Sequence, residues 1–261
     1  MRSEKTPGEQ AFEQYLTEQG IAFEYEPPLS FTRKRVDYGI DHPTYGQIYF
    51  EVKDIEASPF EGAGSFFQFN PYEPIRTHID AGKDKFKDFP DKLCALVLYS
   101  EAPGVRLMEP YVMLGAMYGN FGFTIPFNPE SGTADSSQIE SKFLVGEGKM
   151  VRPTLHRNTR IAALISLVRY HTFAKEAVRY VRTDDGRTGE ERWDDAISGR
   201  AGISQEPTLC CTVWENATAN LRLPQDIFRG PMDAWWTRDG DAQVLSFVGE
   251  RRAALGIDKQ T

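Results

Sequence analysis

The sequence lacks the long apolar segments and the cysteine pairs that would place it among membrane or secreted proteins. None of its 261 residues belongs to an apolar run that approaches the roughly 20 residues of a membrane-spanning helix. No apolar segment follows the polar residues 1–5, so we expect no secretory signal. The three cysteines have no metal-ligand spacing and indicate buried, reduced thiols. We therefore expect a cytoplasmic protein that does not contact a membrane.

Excess positive charge is also lacking, because the formal net charge is -8 at pH 7. Proteins that bind nucleic acid over a wide surface are often basic overall, so any phosphate binding here must be local. Three catalytic motifs are missing as well: the phosphate-binding loop, the H-E-x-x-H metalloprotease helix and the G-x-S-x-G nucleophile elbow. The closest approach to a phosphate loop, residues 146–149, has neither the spacing nor the hydroxyl of that motif.

The elements that are present predict an α/β protein of one domain, with a motif region at about 6–100 and later strands and insertions over 101–261. Apolar periodicity indicates helices that alternate with short apolar strands. We expect helices at 7–19, 71–89, 108–118, 173–182 and 242–254, strands at 21–25, 93–99, 161–168 and 208–214, and loops at 56–70, 128–141 and 183–206. Two further strands in the first quarter of the chain carry the most informative residues.

Those two strands read as a β-hairpin with an acid on each arm. Asp37 lies in the first apolar run, and Glu51 and Lys53 lie in the second, with a turn-rich segment at 41–46 between them. Residues i and i+2 of a strand share a face, so Glu51 and Lys53 point the same way, and strand pairing brings Asp37 close to them. Two carboxylates can hold Mg²⁺ or Mn²⁺ while an ammonium group orients a water molecule. The alternative is a half-exposed strand with an ordinary ion pair.

Asp37, the Glu51-Val52-Lys53 tripeptide and an upstream helix with Glu9 resemble the PD-(D/E)xK nuclease superfamily in order and spacing. The resemblance covers Glu9 to about Tyr99 and departs from the superfamily name only in Val36. It implies a restriction-endonuclease-like fold, in which a mixed central β-sheet is flanked by helices, here with C-terminal elaborations. It also implies a Mg²⁺-dependent or Mn²⁺-dependent nuclease, with Asp37, Glu51, Lys53 and Glu9 as catalytic residues and Asp37, Glu51 and Val52 as metal ligands.

Glu9 has a structural alternative, because Thr6, Pro7 and Glu9 form the pattern of a capping box. Glu13, one turn further on, is its rival for the site. Glu9 lies at the edge of the apolar stripe of the helix, and Glu13 lies further toward solvent. A metal-site acid should border the face that packs on the sheet, so we favour Glu9.

Four basic residues follow the hairpin on the helix at 71–89, namely Arg76, Lys83, Lys85 and Lys87. Such residues usually lie on the solvent-exposed face of a helix, which is the structural alternative here. As substrate contacts we predict Arg76, Lys83 and Lys87. Residues 33–35 and 149–160 hold two further basic runs.

The expected function is metal-dependent hydrolysis of phosphodiester bonds, with DNA favoured as the nucleic-acid partner. Cleavage of both strands of a duplex would suit a homodimer. The alternative is a catalytically silent domain of the same fold that binds nucleic acid or a protein partner. The intact set of Asp37, Glu51 and Lys53 favours the enzyme, whereas the acidic net charge slightly favours the silent domain.

Overall fold

An eight-stranded mixed β-sheet forms the centre of the protein in the computed structural model. The structure describes residues 4–56, 71–101, 107, 109–124, 127–128, 133–134, 140–144, 148–152, 155–156, 158–170, 180–182, 186–202, 207–238 and 245–248. The helices are α1 (Pro7–Glu18), α2 (Glu73–Phe86), α3 (Pro110–Tyr118) and α4 (Gly189–Ile197). The protein is therefore of the α/β class, as the sequence predicts.

The strands of the large sheet come from both ends of the chain. They are β1 (Glu24–Tyr25), β2 (Tyr38–His42), β3 (Gly46–Asp54), β4 (Leu93–Tyr99), β11 (Ile161–Tyr170), β12 (Thr208–Glu215), β13 (Ala234–Arg238) and β14 (Leu245–Val248), in the order β1-β2-β3-β4-β11-β12-β13-β14. The pairs β3–β4, β4–β11 and β12–β13 are parallel, and the other neighbours are antiparallel. Short antiparallel pairs outside it are formed by β5 (Asn120–Thr124) with β8 (Glu140–Leu144), β6 (Phe127–Asn128) with β7 (Thr133–Ala134), and β9 (Val151–Arg152) with β10 (Leu155–His156).

Helices cover both faces of this sheet. Phe12 and Leu16 of α1 pack on one face with Phe50 and Val52 of β3. A second core on the opposite face contains α2, α3 and the alternate residues of β3 and β4: Tyr49, Ile75, Ile79, Phe86, Cys94, Leu96, Leu98, Val112 and Met113. Side chains alternate along a strand, so β3 serves both cores, and Glu51 and Lys53 fall on the α2 side.

Several sequence predictions need correction. Residues 183–206 were expected to form a loop, but they contain α4, which a capping box of Thr188 and Glu191 begins. The expected loop at 128–141 contains β7 and the start of β8. The expected helix at 242–254 is wrong, because Leu245–Val248 pairs with β13. Cross-strand pairing decided the short strands β7, β8 and β14, whose own sequences indicate a strand only weakly. Residues 57–70 of the expected loop at 56–70, and most of the helix at 173–182, lie outside the described residues.

No described helix has both the length and the apolar character to cross a membrane.

Candidate functional site

Asp37, the residue just before β2, is hydrogen-bonded to β3. Its N–H donates to the carbonyl of Phe50 at 3.1 Å, and its Oδ2 accepts the Val52 N–H at 2.7 Å. The carboxylate therefore reaches across to the strand that carries Glu51 and Lys53. The N–H and C=O of one strand residue point to the same edge, so the Val52 carbonyl also faces the Asp37 side of β3.

Glu51 is a buried carboxylate, only 1% exposed, with its two oxygens in different surroundings. Oε1 accepts from Lys53 Nζ at 2.7 Å and from Lys85 Nζ at 2.8 Å. Oε2 is buried and accepts no hydrogen bond from the part of the chain that the structure describes. A buried polar atom without a partner is costly, so this oxygen marks a position where a cation or a polar ligand would be favourable.

Burial and the neighbouring acids both act on the pKa of Asp37. Burial and the negative charge of Glu51 raise the pKa of Asp37 to about 7, with Glu9 adding to the effect. The Val52 N–H and the charge of Lys85 act in the opposite direction. Near neutral pH, Asp37 is therefore poised between its neutral and charged forms, and a bound cation would favour the charged form.

Lys53 is charged at neutral pH, and its charge acts on His78 of α2, which is neutral. Burial disfavours the Lys53 ammonium, but the charge and hydrogen bond of Glu51 outweigh burial and raise the pKa of Lys53. Burial and the charge of Lys53 lower the pKa of His78 below its ordinary value, so the imidazole is neutral at pH 7. The site thus combines a charged lysine with a neutral histidine.

Glu9 lies at the edge of this site, as part of the predicted capping box. Its Oε2 accepts the Thr6 N–H at 2.7 Å, and its Oε1 accepts the Tyr25 hydroxyl at 3.4 Å. Its charge acts on the pKa of both Asp37 and Lys53. Glu13 instead pairs with Lys5. Glu9 therefore stays the predicted acid of α1 at this site.

The start of α1 is fastened directly to the two strands of the site. The Asp54 carboxylate accepts the Gly8 N–H at 2.7 Å, and the Tyr38 hydroxyl donates to the Glu9 carbonyl at 2.9 Å. A Cβ at Gly8 would approach the Asp54 carboxylate to 2.9 Å, so a side chain there would displace it. These contacts hold Glu9 in a fixed position relative to Glu51.

The predicted substrate contacts on α2 differ in their exposure to solvent. Arg76 is 2% exposed and donates to the Gly115 carbonyl of α3 at 3.0 Å, so we remove it from the substrate-binding set. Lys83 and Lys87 are exposed. A rotation of about 200° separates residues two apart in a helix, so Lys83 and Lys85 flank the buried stripe on opposite sides. Lys85, which the prediction omitted, is the one that meets Glu51.

Sequence reasoning missed Lys85 and His78 for a common reason. The two residues are seven positions apart, which places them on the same flank of α2. The spacing is visible in the sequence, but which flank faces Glu51 depends on how α2 lies on the sheet. No local pattern contains that information.

The described residues contain no group of three or more His, Cys, Asp or Glu side chains placed to hold a metal ion. Two carboxylates nevertheless suit Mg²⁺, which often keeps its waters and binds only one or two protein carboxylates. No protein-family model, curated protein or solved structure matches the chain. The functional argument therefore depends on the geometry of the site.

Proposed function

We propose that the protein is a metal-dependent nuclease that hydrolyses phosphodiester bonds, with DNA as the favoured substrate and a restriction-endonuclease-like core. The observation that carries the proposal is the meeting of Asp37 and Glu51 beside Lys53. One oxygen of Glu51 is buried there without a partner among the described residues. If Glu51 only formed an ordinary ion pair on the strand, both of its buried oxygens would be expected to accept hydrogen bonds.

Asp37, Glu51 and the Val52 carbonyl would hold Mg²⁺ or Mn²⁺. When bound, the ion would lower the pKa of a water molecule and offset charge on the phosphate oxygens. In hydrolysis a water oxygen bonds to phosphorus, one ester P–O bond breaks, and the leaving oxygen gains a proton. The Glu51 oxygen without a described partner marks where a cation would be favourable, and burial together with the charge of Glu51 raises the pKa of Asp37.

The residues of the chain have separate tasks in this proposal. Lys53 sits on the rigid strand that carries Glu51 and would orient the attacking water or a phosphate oxygen. Its hydrogen bond to Glu51 keeps the ammonium group charged and in place. Glu9 would act through its charge at the edge of the site.

A silent nuclease-fold domain that binds nucleic acid or a protein is the second candidate. The observation in its favour is that Lys53 and Lys85 together already balance the charges of Asp37 and Glu51. A site that only needed internal charge balance would look like this. It would bind a metal weakly and cleave nothing.

Cleavage assays separate the two candidates. Single-stranded, duplex and branched DNA and RNA would each be incubated with the protein in Mg²⁺ or Mn²⁺. The Lys53→Ala variant and EDTA would serve as controls. Metal-dependent cleavage that disappears in Lys53→Ala supports the nuclease. Nucleic-acid or partner binding without cleavage by the wild-type protein supports the silent domain.

A further inference from the structure

Two lysines bind the same oxygen of one buried glutamate. Lys53 reaches Glu51 Oε1 along β3, and Lys85 reaches the same atom from α2. One ammonium group is enough to balance one carboxylate. If both lysines served only to neutralise Glu51, they would be expected to share its two oxygens, but they crowd onto one of them.

This arrangement leaves N–H donors of both ammonium groups available at the site. An ammonium group has three N–H donors. The side chains of Lys53 and Lys85 are 31% and 28% exposed, so both ammonium groups are within reach of a ligand that approaches from solvent. Two ammonium groups around one point suit an anion with several oxygens, and a phosphodiester group is such an anion.

We propose that Lys85 is a second phosphate-binding residue of the site, which contacts the scissile phosphodiester group together with Lys53. This inference rests on the proposed nuclease function and adds to it a residue from α2. Lys85 lies beside both acids, because its charge also acts on Asp37. A cation bound by the two carboxylates would repel the Lys85 ammonium from Glu51, and the phosphate would be its new partner.

The contribution of Lys85 should be greatest when charge develops on the phosphate oxygens. Loss of one positioned donor to such charge commonly lowers kcat about 10²-fold to 10³-fold. Lys85→Ala should therefore lower kcat about 10²-fold. Lys85→Arg should restore nucleic-acid binding and part of kcat, since it keeps the charge but changes the donor geometry.

The experiment compares the wild-type protein with Lys85→Ala, Lys85→Arg, Lys53→Ala and a control, Lys92→Ala. Lys92 is an exposed lysine that lies over the Phe31 ring at 5.5 Å and belongs to no part of the site. Cleavage would be measured at saturating Mn²⁺. Binding of a fluorescent oligonucleotide would be measured in Ca²⁺ over a salt series. Lys85→Ala should flatten the salt dependence by about one unit of slope, whereas Lys92→Ala should match the wild type.

A Mn²⁺ titration distinguishes phosphate binding from a structural role. Removal of a cation next to the carboxylates should leave Mn²⁺ binding by Lys85→Ala unchanged or tighter. Mn²⁺ binding and folding that weaken in parallel with cleavage would overturn the proposal, because Lys85 would then only support Glu51. Cleavage and binding by Lys85→Ala equal to those of Lys92→Ala, with Lys53→Ala inactive, would overturn this proposal alone. A wild-type protein that neither cleaves nor binds nucleic acid would overturn the proposed function and this inference together.

Discussion

Among the described residues, the buried carboxylates of Asp233 and Glu51 differ in how hydrogen bonds satisfy their oxygens. Asp233 accepts from the Tyr15 hydroxyl at 2.5 Å, from the Cys211 N–H at 2.7 Å and from the Gly230 N–H at 2.6 Å. Glu51, equally buried, has two ammonium groups on one oxygen and no described partner on the other. The first arrangement is what a buried acid needs for stability, and the second leaves binding capacity unused.

Glu215 repeats the pattern of Asp233. Its two oxygens are both engaged, by the guanidinium of Arg222 and by the Thr237 hydroxyl. Glu215 of β12 binds Arg222 and, in β13, Thr237, just as Asp233 connects Tyr15 of α1 to Cys211 of β12. A buried acid that holds segments together and a buried acid that waits for a ligand can therefore be told apart by how their oxygens are satisfied.

The largest expected effects are a loss of cleavage on substitution of Glu51 and a loss of stability on substitution of Asp233. Glu51→Gln should lower cleavage roughly 10³-fold, because it weakens the metal site, and should cost less stability than Asp233→Asn, because its amide oxygen can still accept from Lys53 and Lys85. Asp233→Asn should do the reverse. It leaves donors of α1 and β12 facing an amide nitrogen and should cost about 2–3 kcal/mol of stability. Urea denaturation and cleavage rates on both variants measure the two effects.

The comparison fails if the two variants lose stability to the same extent. Glu51 would then be one more structural acid, and its unpartnered oxygen would carry no functional meaning. Activity of Asp233→Asn should be measured well below its melting temperature, so that unfolding does not imitate a catalytic defect.

A metal bound by Asp37 and Glu51 should stabilise the fold. A ligand that binds only the folded state at 100 times its Kd adds about 2.7 kcal/mol to the free energy of unfolding. We expect Mn²⁺ to raise the melting temperature of the wild-type protein and of Glu13→Gln, whose acid pairs with Lys5. Asp37→Asn and Glu51→Gln should not respond. An equal rise in all four proteins would indicate that the metal binds elsewhere.

The pKa of Asp37 gives the fold an unusual pH dependence in EDTA. An ordinary aspartate has a pKa of 3.8, and Asp37 is raised to about 7, so the folded state holds a proton that the unfolded state has lost. Stability from Asp37 should therefore fall as the pH rises from about 4 to about 7, and remain constant above that range. Asp37→Asn cannot release this proton and should lack the decline, while its amide oxygen can still accept the Val52 N–H.

The difference between wild type and Asp37→Asn isolates this effect from other groups. The lowered pKa of His78 acts in the opposite direction, because stability from that residue rises as the pH approaches 6.5. The raised pKa of Lys53 matters only above pH 10.5. Urea midpoints of the two proteins would be measured from pH 4 to pH 8. If the difference between the two midpoints does not change with pH, the pKa of Asp37 is not raised in the folded state.

Local sequence signals account for the parts of the molecule that were predicted well. Thr6 and Glu9 fix the start of α1, and the continuous apolar run at Leu93–Tyr99 fixes β4 as a buried strand. The same kind of signal, Thr188 with Glu191, was present for α4 and was overlooked. The other failures depend on how separate elements pack against each other. β14 is a strand because β13 lies next to it, and Lys85 belongs to the site because α2 turns that flank toward Glu51.

Glu9 and Glu13 test how far the site extends along α1. Glu9→Gln should lower cleavage about 10-fold to 100-fold, the usual range for groups just outside a metal site. It should cost little stability, because glutamine can still serve the capping box. Glu13→Gln loses only a partly exposed ion pair with Lys5 and should change stability by less than about 1 kcal/mol, with normal activity. Equal loss of activity in both variants, or loss in Glu13→Gln alone, would move the assignment away from Glu9.

The smallest effect is expected at Lys83 and Lys87, on the flank of α2 opposite to Lys85. Both lysines are exposed, and we propose that they contact phosphates of the nucleic acid beyond the one that is cleaved. The Lys83→Ala/Lys87→Ala double variant should bind about equally less well to all sequences, because phosphate contacts carry no base information. Its salt dependence in Ca²⁺ should flatten by about one unit of slope for each lost contact, with kcat unchanged. A normal slope would identify these lysines as a solvated helix face, and a lowered kcat would show that both flanks of α2 reach the scissile phosphate.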